Sequence, residues 1–518
     1  MLLARRAAAV ILAAFAVAAC DRTPTGASSR GCDGRPIGLD PGEVIALEPG
    51  DGVCDLGRAP GAEYALVYLD TRIVDALDGE PEPYWKLDET YTVTLADEGG
   101  GAALREGISV GVSRSEAPPD RVMEPAGPAP RATWHDRTLP WVVGDTVWTP
   151  ACAPDAPCTG QQLADVARVY DGWLAVAVRR GDPNPAHALA RLDAAYPLVR
   201  QHGLALLAET FGATRPLTSA GAGQFMMVVG TTAAGAARKT SLSWTRLVND
   251  SVRGWVELWL AEDLDLAPAT SLLAHELAHQ YQRLWSHASR SPGVPGSPMG
   301  VTRWGVEGGA NLMSYEVIRR IANAPLAGNF DWRNPGPDPF AAYYALRAQS
   351  AAGAFTSGYD GTMPFLRDLV VRRVQAGEPL GAALREVSRG AVEGWSGRDG
   401  LGSARPGLAG RMRAALGPRW EPGDALLTWA LSVVGDDRNP STLYQDPVSL
   451  RTWDVRPGEY GWHPDGVLEG GSGATVTGVC AYGSPGYSYL RDVGAGVRVR
   501  LSSSVPREGM RWMVMRIR

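Results

Sequence analysis

The stretch Ser271-Leu-Leu-Ala-His275-Glu276-Leu-Ala-His279-Gln-Tyr-Gln-Arg-Leu-Trp285 contains the motif His-Glu-x-x-His. Its apolar residues recur at steps of three and four, which is the period of a buried helix. On a helix, residues four apart lie on one face about one turn apart. His275 and His279 are therefore predicted to hold one metal ion between their imidazoles.

Zinc suits such a pair of histidines, since imidazole binds it and a catalytic site keeps a fourth position open for water. Glu276 is one step round the helix, too far to be a third ligand on that face. It is placed to touch the bound water, so we expect it to be the general base. The alternative is a structural helix that carries two histidines by chance. With only 7 histidines in 518 residues, a chance motif is rare.

A third metal ligand is needed, and the downstream stretch Trp304-Gly-Val-Glu307-Gly-Gly-Ala310 offers one. HELAH followed by W-x-x-E-G-x-A resembles the gluzincin metallopeptidases, a large peptidase clan with a glutamate as third zinc ligand. The resemblance covers residues 250–375 and is faint elsewhere. It implies that Glu307 is the third ligand and that the resident metal is Zn²⁺.

Other third ligands fit the sequence less well. The metzincin pattern would need Gly at 282 and His at 285, where this chain has Gln282 and Trp285. His287 is not at that spacing, and Glu316 lacks the Trp/Gly/Ala context. Four residues after the ligand Glu, gluzincins commonly have Asp or Glu, which orients a ligand histidine, but this chain has Asn311. Its amide oxygen can accept the imidazole N–H without the charge that raises ligand basicity, so metal affinity or activity is expected to be lower.

The resemblance also implies residues that contact a peptide substrate. Some gluzincins use a Tyr from the helical half as an oxyanion donor. Tyr344 is the candidate here and Tyr343 its rival, with a core aromatic as the alternative. In gluzincins the strand before the zinc helix lines the cleft, so Trp255–Trp259 would be an edge to which an extended peptide adds. The alternative is an interior strand.

Composition indicates a globular, multidomain protein. A chain of 518 residues is expected to hold two to four domains. Its 45% hydrophobic and 20% charged residues are globular values. The net charge is −6, and the arginines are spread along the chain without a basic block. Nucleic acid is therefore not an expected partner.

Residues 1–20 are expected to be a targeting segment. A positive start at Arg5 and Arg6 precedes an apolar run that is too short for an ordinary membrane span. The run ends in Val17-Ala-Ala-Cys20, which resembles a bacterial lipobox, where Cys20 is lipidated and becomes the mature N-terminus. The alternatives are an ordinary signal peptide and an uncleaved anchor. The membrane would then be a partner through the lipid.

The remaining cysteines fit an exported protein. Cys32–Cys54 and Cys152–Cys158 are two local pairs that would form disulfides in an oxidising compartment. Cys480 is left over and is expected to be a buried thiol. Cys152 and Cys158 as a metal site is a weaker interpretation, because no His or further Cys lies near.

The expected fold class is α+β. A zincin-like catalytic domain, with a mixed sheet, the HExxH helix and a helical half, is flanked by small β-rich domains. The predicted segments are a lipoprotein signal peptide (1–20), a tether (21–40), a β-sandwich-like domain (41–115), a Pro-rich linker (116–140), a gluzincin-like metallopeptidase domain (141–450) and a C-terminal β-rich region (451–518).

The expected function is a zinc-dependent metallopeptidase at the bacterial cell envelope, acting on a peptide or protein substrate. Peptide hydrolysis comes from the resemblance, because the metal ligands alone indicate only an activated water that attacks an electrophile. One alternative is a zinc hydrolase acting on a non-peptide bond. The other is a surface-binding lipoprotein with a degenerate peptidase domain, which the retained Glu276 disfavours.

Overall fold

The structure is a computed structural model. It describes residues 30–31, 35–41, 43–48, 54–57, 61–70, 89–95, 139–150, 161–213, 223–232, 241–248, 251–288, 303–326, 335–349, 362–394, 407–418, 420, 425–426, 429, 466–469, 475–480, 486–491, 498–503 and 510–517. These residues form a mixed α+β fold, so the α+β class expected from the sequence is confirmed. The signal segment with Cys20, most of the tether and of the Pro-rich linker, and three cysteines of the predicted disulfides lie outside the described residues: Cys32, Cys152 and Cys158.

The described residues form sixteen strands and eight helices. The strands are β1 (Arg30–Gly31), β2 (Val44–Glu48), β3 (Cys54–Asp55), β4 (Glu63–Asp70), β5 (Glu89–Leu95), β6 (Thr146–Pro150), β7 (Gln161–Tyr170), β8 (Leu174–Arg179), β9 (Phe225–Thr232), β10 (Ser241–Val248), β11 (Ser251–Ala261), β12 (Gly466–Glu469), β13 (Thr475–Cys480), β14 (Gly486–Arg491), β15 (Arg498–Ser503) and β16 (Met510–Arg516). The helices are α1 (Pro185–His202), α2 (Leu204–Phe211), α3 (Leu266–Ala288), α4 (Arg303–Ile321), α5 (Pro339–Gln349), α6 (Thr362–Gln375), α7 (Leu380–Glu393) and α8 (Leu408–Leu416). Among the described residues, no helix combines the length and hydropathy needed to cross a bilayer.

A mixed six-stranded sheet supports the helices that follow it. Its strand order is β10-β11-β9-β8-β7-β6. The three central strands β11, β9 and β8 are parallel, and the flanking pairs are antiparallel. β8 and β9 are buried almost throughout, as expected for parallel strands covered on both faces. β7 and β8 form an antiparallel hairpin next to the parallel strands.

β11, the strand before the HExxH helix, is an interior strand. It pairs with β10 on one side and with β9 on the other. Val256, Leu258 and Leu260 lie in the main core, whereas the side chain of Glu257 is fully buried on the opposite face and bonds to Arg179. The expectation that Trp255–Trp259 forms an open edge for substrate is therefore wrong, and the alternative of an interior strand is confirmed. In the described part of the chain, β10 is the edge at this end of the sheet.

The helix α3 follows from its sequence. Pro268 lies in the first turn, where its missing N–H is tolerated. Leu273, Leu277 and Tyr281, at steps of four, are almost completely buried, which confirms the predicted period. These side chains belong to the core that α3 shares with α4 and with β11. The core thus fixes which face of α3 points at α4.

The helical segment after β8 is interrupted at Gly203, six residues after a proline. α1 continues through Pro197 and ends at Gly203, where α2 begins. A Cβ at Gly203 would lie only 2.8 Å from the carbonyl oxygen of Val199, so a side chain does not fit there. Pro197 is tolerated inside α1, and the glycine terminates the helix.

The strands at the two ends of the chain are mixed in shared sheets. One sheet has the order β1-β2-β16-β4-β14-β12 and the other β13-β5-β15-β3. Strands from the predicted regions 41–115 and 451–518 therefore alternate as direct neighbours rather than forming two sheets of their own. Cys54, in β3, is disulfide-bonded.

Candidate metal centre

The packing of α3 against α4 brings three of the predicted site residues together. The Nε2 atoms of His275 and His279 are 2.9 Å apart. Glu307 Oε2 lies 3.4 Å from Nε2 of His275 and 3.2 Å from Nε2 of His279. Both histidines are buried, with exposed fractions of 9% and 4%. The sequence therefore predicted a set of residues that the fold places side by side.

The three atoms have the spacing that one metal ion requires. A tetrahedral zinc ion with bonds of about 2.0–2.1 Å holds its ligand atoms about 3.3 Å apart. The separations here are 2.9, 3.2 and 3.4 Å. Two imidazoles and a carboxylate are also the donor set of catalytic zinc sites, which leave the fourth position open. His275, His279 and Glu307 thus fit a catalytic zinc ion.

Glu276 lies next to this triad without being part of it. Its Oε1 is 3.9 Å from Nε2 of His275. His275, Glu276 and His279 also form a group whose possible ligand atoms lie within 4.8 Å of one another. The carboxylate of Glu307 lies closer to the imidazoles than that of Glu276, so Glu307 fits the position of a third ligand better. Glu276 is also buried, with an exposed fraction of 3%.

The charges of the triad favour an ionised Glu307. Burial raises the pKa of this carboxyl, but the charge of His279 and the hydrogen bonds to both histidines outweigh burial and hold the pKa well below its usual range. Burial lowers the pKa of His279, but Glu307 and Glu276 outweigh it, so the pKa is raised above 6.5. The carboxylate is therefore ready to bind a cation, whereas His279 must first lose its proton.

Zinc affinity is expected to fall as the pH decreases. The fall should begin above pH 6.5, because the pKa of His279 is raised above that ordinary value. Metal ions bind neutral imidazole, so a proton on His279 competes with zinc. In the metal-free protein, the raised pKa means that protonated His279 stabilises the fold below pH 6.5. This stabilisation is lost as the pH rises through the raised pKa. The stabilisation that zinc provides has the opposite pH dependence, because zinc binds the neutral imidazole. Zinc should therefore raise the Tm more at about pH 8 than at about pH 6.

The measurement is the Tm with and without saturating zinc across this pH range, together with zinc affinity by chelator competition. His187→Gln is the control, because His187 bonds to the carbonyl of Ala261 and not to the triad. The variant should keep the pH dependence of the wild-type protein. A zinc affinity that is constant between about pH 6 and 8 would contradict the expectation.

One polar contact of the site was not predicted from the sequence. Gln282 Oε1 lies 3.0 Å from Nδ1 of His279, and Gln282 Nε2 donates to the carbonyl of Val306 at 3.0 Å. The sequence predicts the orienting role for Asn311, which is buried on α4 and whose backbone carbonyl accepts a hydrogen bond from Ser314. The available signal was the spacing of three between His279 and Gln282 on one helix.

Tyr344, the candidate oxyanion donor, lies in the helical core. It is fully buried and stacks on Tyr315, with ring centroids 4.3 Å apart. Its hydroxyl donates to the carbonyl of Pro325 at 3.1 Å and accepts from Arg367 at 3.3 Å. Tyr315 is eight residues beyond Glu307 on α4, which is about 12 Å along the helix axis. The oxyanion assignment is therefore wrong and the core alternative is confirmed. Tyr343 is half-buried at the edge of this core.

Comparisons with known proteins add nothing to this geometry. No protein-family model matches the chain, and no curated protein matches it at a significant level. The residues of the site are therefore the basis for a functional proposal.

Proposed function

We propose that this protein is a zinc-dependent metallopeptidase of the gluzincin type, with zinc on His275, His279 and Glu307. The observation that carries the proposal is the triad itself, with its ligand atoms 2.9–3.4 Å apart and the carboxylate of Glu276 beside it. A structural helix has no need for two imidazoles and two carboxylates gathered in its core, because buried charge is costly unless it is paired or binds a metal.

The surrounding architecture supports a zincin-like catalytic domain. A mixed sheet leads through its interior strand β11 directly into the HExxH helix α3. The helix α4 packs along α3 and carries Glu307, and α5 to α8 form a helical half behind it. Both ligand helices pack into the main core, α3 with Leu, Ala and Tyr residues and α4 with Leu, Met, Val, Ile and Tyr residues. The core therefore holds the ligands on rigid elements, as a preorganised site requires.

When bound, a zinc ion supplies Lewis-acid polarisation of a substrate carbonyl and lowers the pKa of a coordinated water to about 7. Glu276 accepts a proton from the attacking water as the water oxygen bonds to the scissile carbonyl carbon. Glu276 then gives that proton to the leaving nitrogen as the C–N bond breaks, so the residue ends in its starting state. Ionised Glu307 and the neutral imidazoles of His275 and His279 would hold the metal.

The location we propose is the bacterial cell envelope, with the lipid on Cys20 as anchor and a peptide or protein as substrate. The sequence Val17-Ala-Ala-Cys20 and the paired cysteines support export. Cys54, which is disulfide-bonded, fits an oxidising compartment. Metabolic labelling with a radioactive fatty acid, for wild type and Cys20→Ala, tests the anchor. Equal labelling of the two proteins would contradict it.

The test of the enzymatic proposal is zinc content and cleavage of casein or quenched peptides by the full chain in detergent. We expect about one zinc per chain and hydrolysis that a chelator abolishes and zinc restores. Bound zinc with hydrolysis of esters but not peptides would favour a hydrolase of another bond. Bound zinc with no turnover would favour a surface-binding lipoprotein with a degenerate domain. A chain without zinc affinity would contradict the whole assignment.

A further inference from the structure

We propose that Gln282 is the positioning residue of the metal centre: its amide fixes His279 as an Nε2 ligand and ties it to the helix that carries Glu307. This inference rests on the proposed metal site. It concerns how the site is held, which the HExxH motif and its third ligand leave open. Three observations carry it: the orientation of the amide, its contact with α4, and the space that Gly309 leaves for it.

The orientation of the Gln282 amide follows from its partners. The carbonyl of Val306 can only accept a hydrogen bond, so the group 3.0 Å from it must be the NH₂ of Gln282. The amide oxygen then faces Nδ1 of His279 at 3.0 Å. Because this oxygen can only accept, Nδ1 must carry the proton. The neutral imidazole therefore has its lone pair on Nε2, the atom that faces His275 and Glu307.

The same amide connects the two ligand helices. Gln282 is three residues beyond His279 on α3, and Val306 directly precedes Glu307 on α4. One side chain thus bonds to a ligand on one helix and to the backbone beside a ligand on the other. We infer that these two hydrogen bonds of Gln282 help to fix the distance between Nε2 of His279 and Oε2 of Glu307, which is 3.2 Å.

Gly309 provides the space for the amide. A Cβ built on Gly309 would lie 2.9 Å from Nε2 of Gln282, closer than such contacts occur. Glycine in a helix interior is otherwise unfavourable compared with alanine. α4 has glycine at position 309 despite this cost in helix stability. The space that the Gln282 amide needs against the helix gives a physical reason for it. A methyl group there would displace the amide while leaving residue 282 unchanged.

The two histidines are held differently. Within the part of the chain that the structure describes, Nδ1 of His275 has no hydrogen-bond partner, whereas Nδ1 of His279 has Gln282. Groups that bond to the far nitrogen of a ligand histidine orient the ring, and their loss typically reduces metal affinity by about 10- to 100-fold. We therefore expect the affinity of the whole site to depend on Gln282.

The test compares four variants of the full chain in detergent. Gln282→Met keeps the size of the side chain and removes both hydrogen bonds. Gln282→Glu keeps an acceptor for His279 but cannot donate to Val306. Gly309→Ala displaces the amide. Gln224→Met is the matched control, because Gln224 is also buried and bonds to the backbone of Trp141 and Gly172 rather than to a residue of the triad. Zinc affinity is measured by chelator competition, and the Tm is measured without metal.

We expect Gln282→Met and Gly309→Ala to bind zinc about 10- to 100-fold more weakly than wild type. Gln282→Glu should recover part of this loss. Gln224→Met should lower the Tm and leave zinc affinity unchanged. In metal-free protein labelled with ¹⁵N at histidine, at a pH high enough for the imidazole to be neutral, the wild type should show His279 with its proton on Nδ1 and the Gln282→Met protein a mixture of tautomers. This signature does not depend on turnover, and a packing role for Gln282 would not produce it.

Wild-type zinc affinity in Gln282→Met would overturn the inference, as would an equal loss in Gln224→Met. If Gln282→Met does not fold, Gly309→Ala and Gln282→Glu decide by the same criterion. A protein that binds zinc but hydrolyses no peptide contradicts the peptidase proposal alone, since the affinity comparison still decides the role of Gln282. A wild type that binds no zinc contradicts both.

Discussion

Replacing Glu276 by Gln is expected to reduce kcat for peptide hydrolysis by about 10²- to 10⁴-fold while the protein keeps its zinc. The amide has the size of the carboxylate but cannot take a proton from water. Glu276 supplies none of the three closest potential ligand atoms, so the metal should remain bound. Its Oε1 lies 3.9 Å from Nε2 of His275, close enough to the ligand set to reach a water in the open position.

The measurement combines zinc content, Tm and kcat on a quenched peptide for wild type and Glu276→Gln. Glu209→Gln is the matched control, because it makes the same chemical change at an exposed position of α2. That variant should retain wild-type kcat and zinc content. If Glu276→Gln cleaves at the wild-type rate, another residue is the base. If it loses its zinc, Glu276 is itself a ligand.

The sequence was sufficient for the local features of the site. The helical period around His275 and His279 and the spacing of four between them are local, so they could be read without knowing the fold. Glu307 was different, because no local rule brings residues 28 apart on two helices together. Its prediction depended on the resemblance, and the distances to both histidines agree with it.

Features that depend on segments far apart in the chain could not be predicted from the local pattern of residues. Whether β11 is an edge or an interior strand depends on β10 and β9, since the same alternation of residues fits either position. The mixing of N-terminal and C-terminal strands in shared sheets depends on pairings such as β16 between β2 and β4. A sequence pattern indicates that a strand exists, but it does not name its partner.

Two site predictions failed because the direction of a side chain is decided by packing. Tyr344 was the candidate oxyanion donor, with a core aromatic as the alternative, and the stack on Tyr315 and the hydrogen bond to Pro325 hold it in the core. Asn311 was expected to orient a ligand histidine, yet the bond to Nδ1 of His279 comes from Gln282. An uncharged amide is the partner in either case, so a less basic ligand histidine stays a prediction with Gln282 in this role.

Replacing Glu307 by Ala is expected to weaken zinc binding by more than about 100-fold and to abolish peptide hydrolysis. Loss of a residue that only orients a ligand costs about 10- to 100-fold, and Glu307 supplies a ligand atom and the negative charge of the site. With alanine, two neutral imidazoles are left to hold a divalent ion. The increase in Tm that zinc gives the wild type should disappear, because stabilisation by a ligand depends on its affinity.

Glu316→Ala on the same helix separates a lost ligand from a lost buried carboxylate. Glu316 is almost fully buried and bonds to Arg319 at 2.6 Å and to Arg320 at 2.9 Å. Its replacement should lower the Tm of the metal-free protein and leave zinc affinity at the wild-type value. Isothermal titration of zinc into the three metal-free proteins is the measurement. Wild-type affinity in Glu307→Ala would remove Glu307 from the ligand set, and a loss in Glu316→Ala alone would transfer the third ligand to Glu316. The competing ligand that the sequence offered is thus tested in the same experiment as the one that the geometry favours.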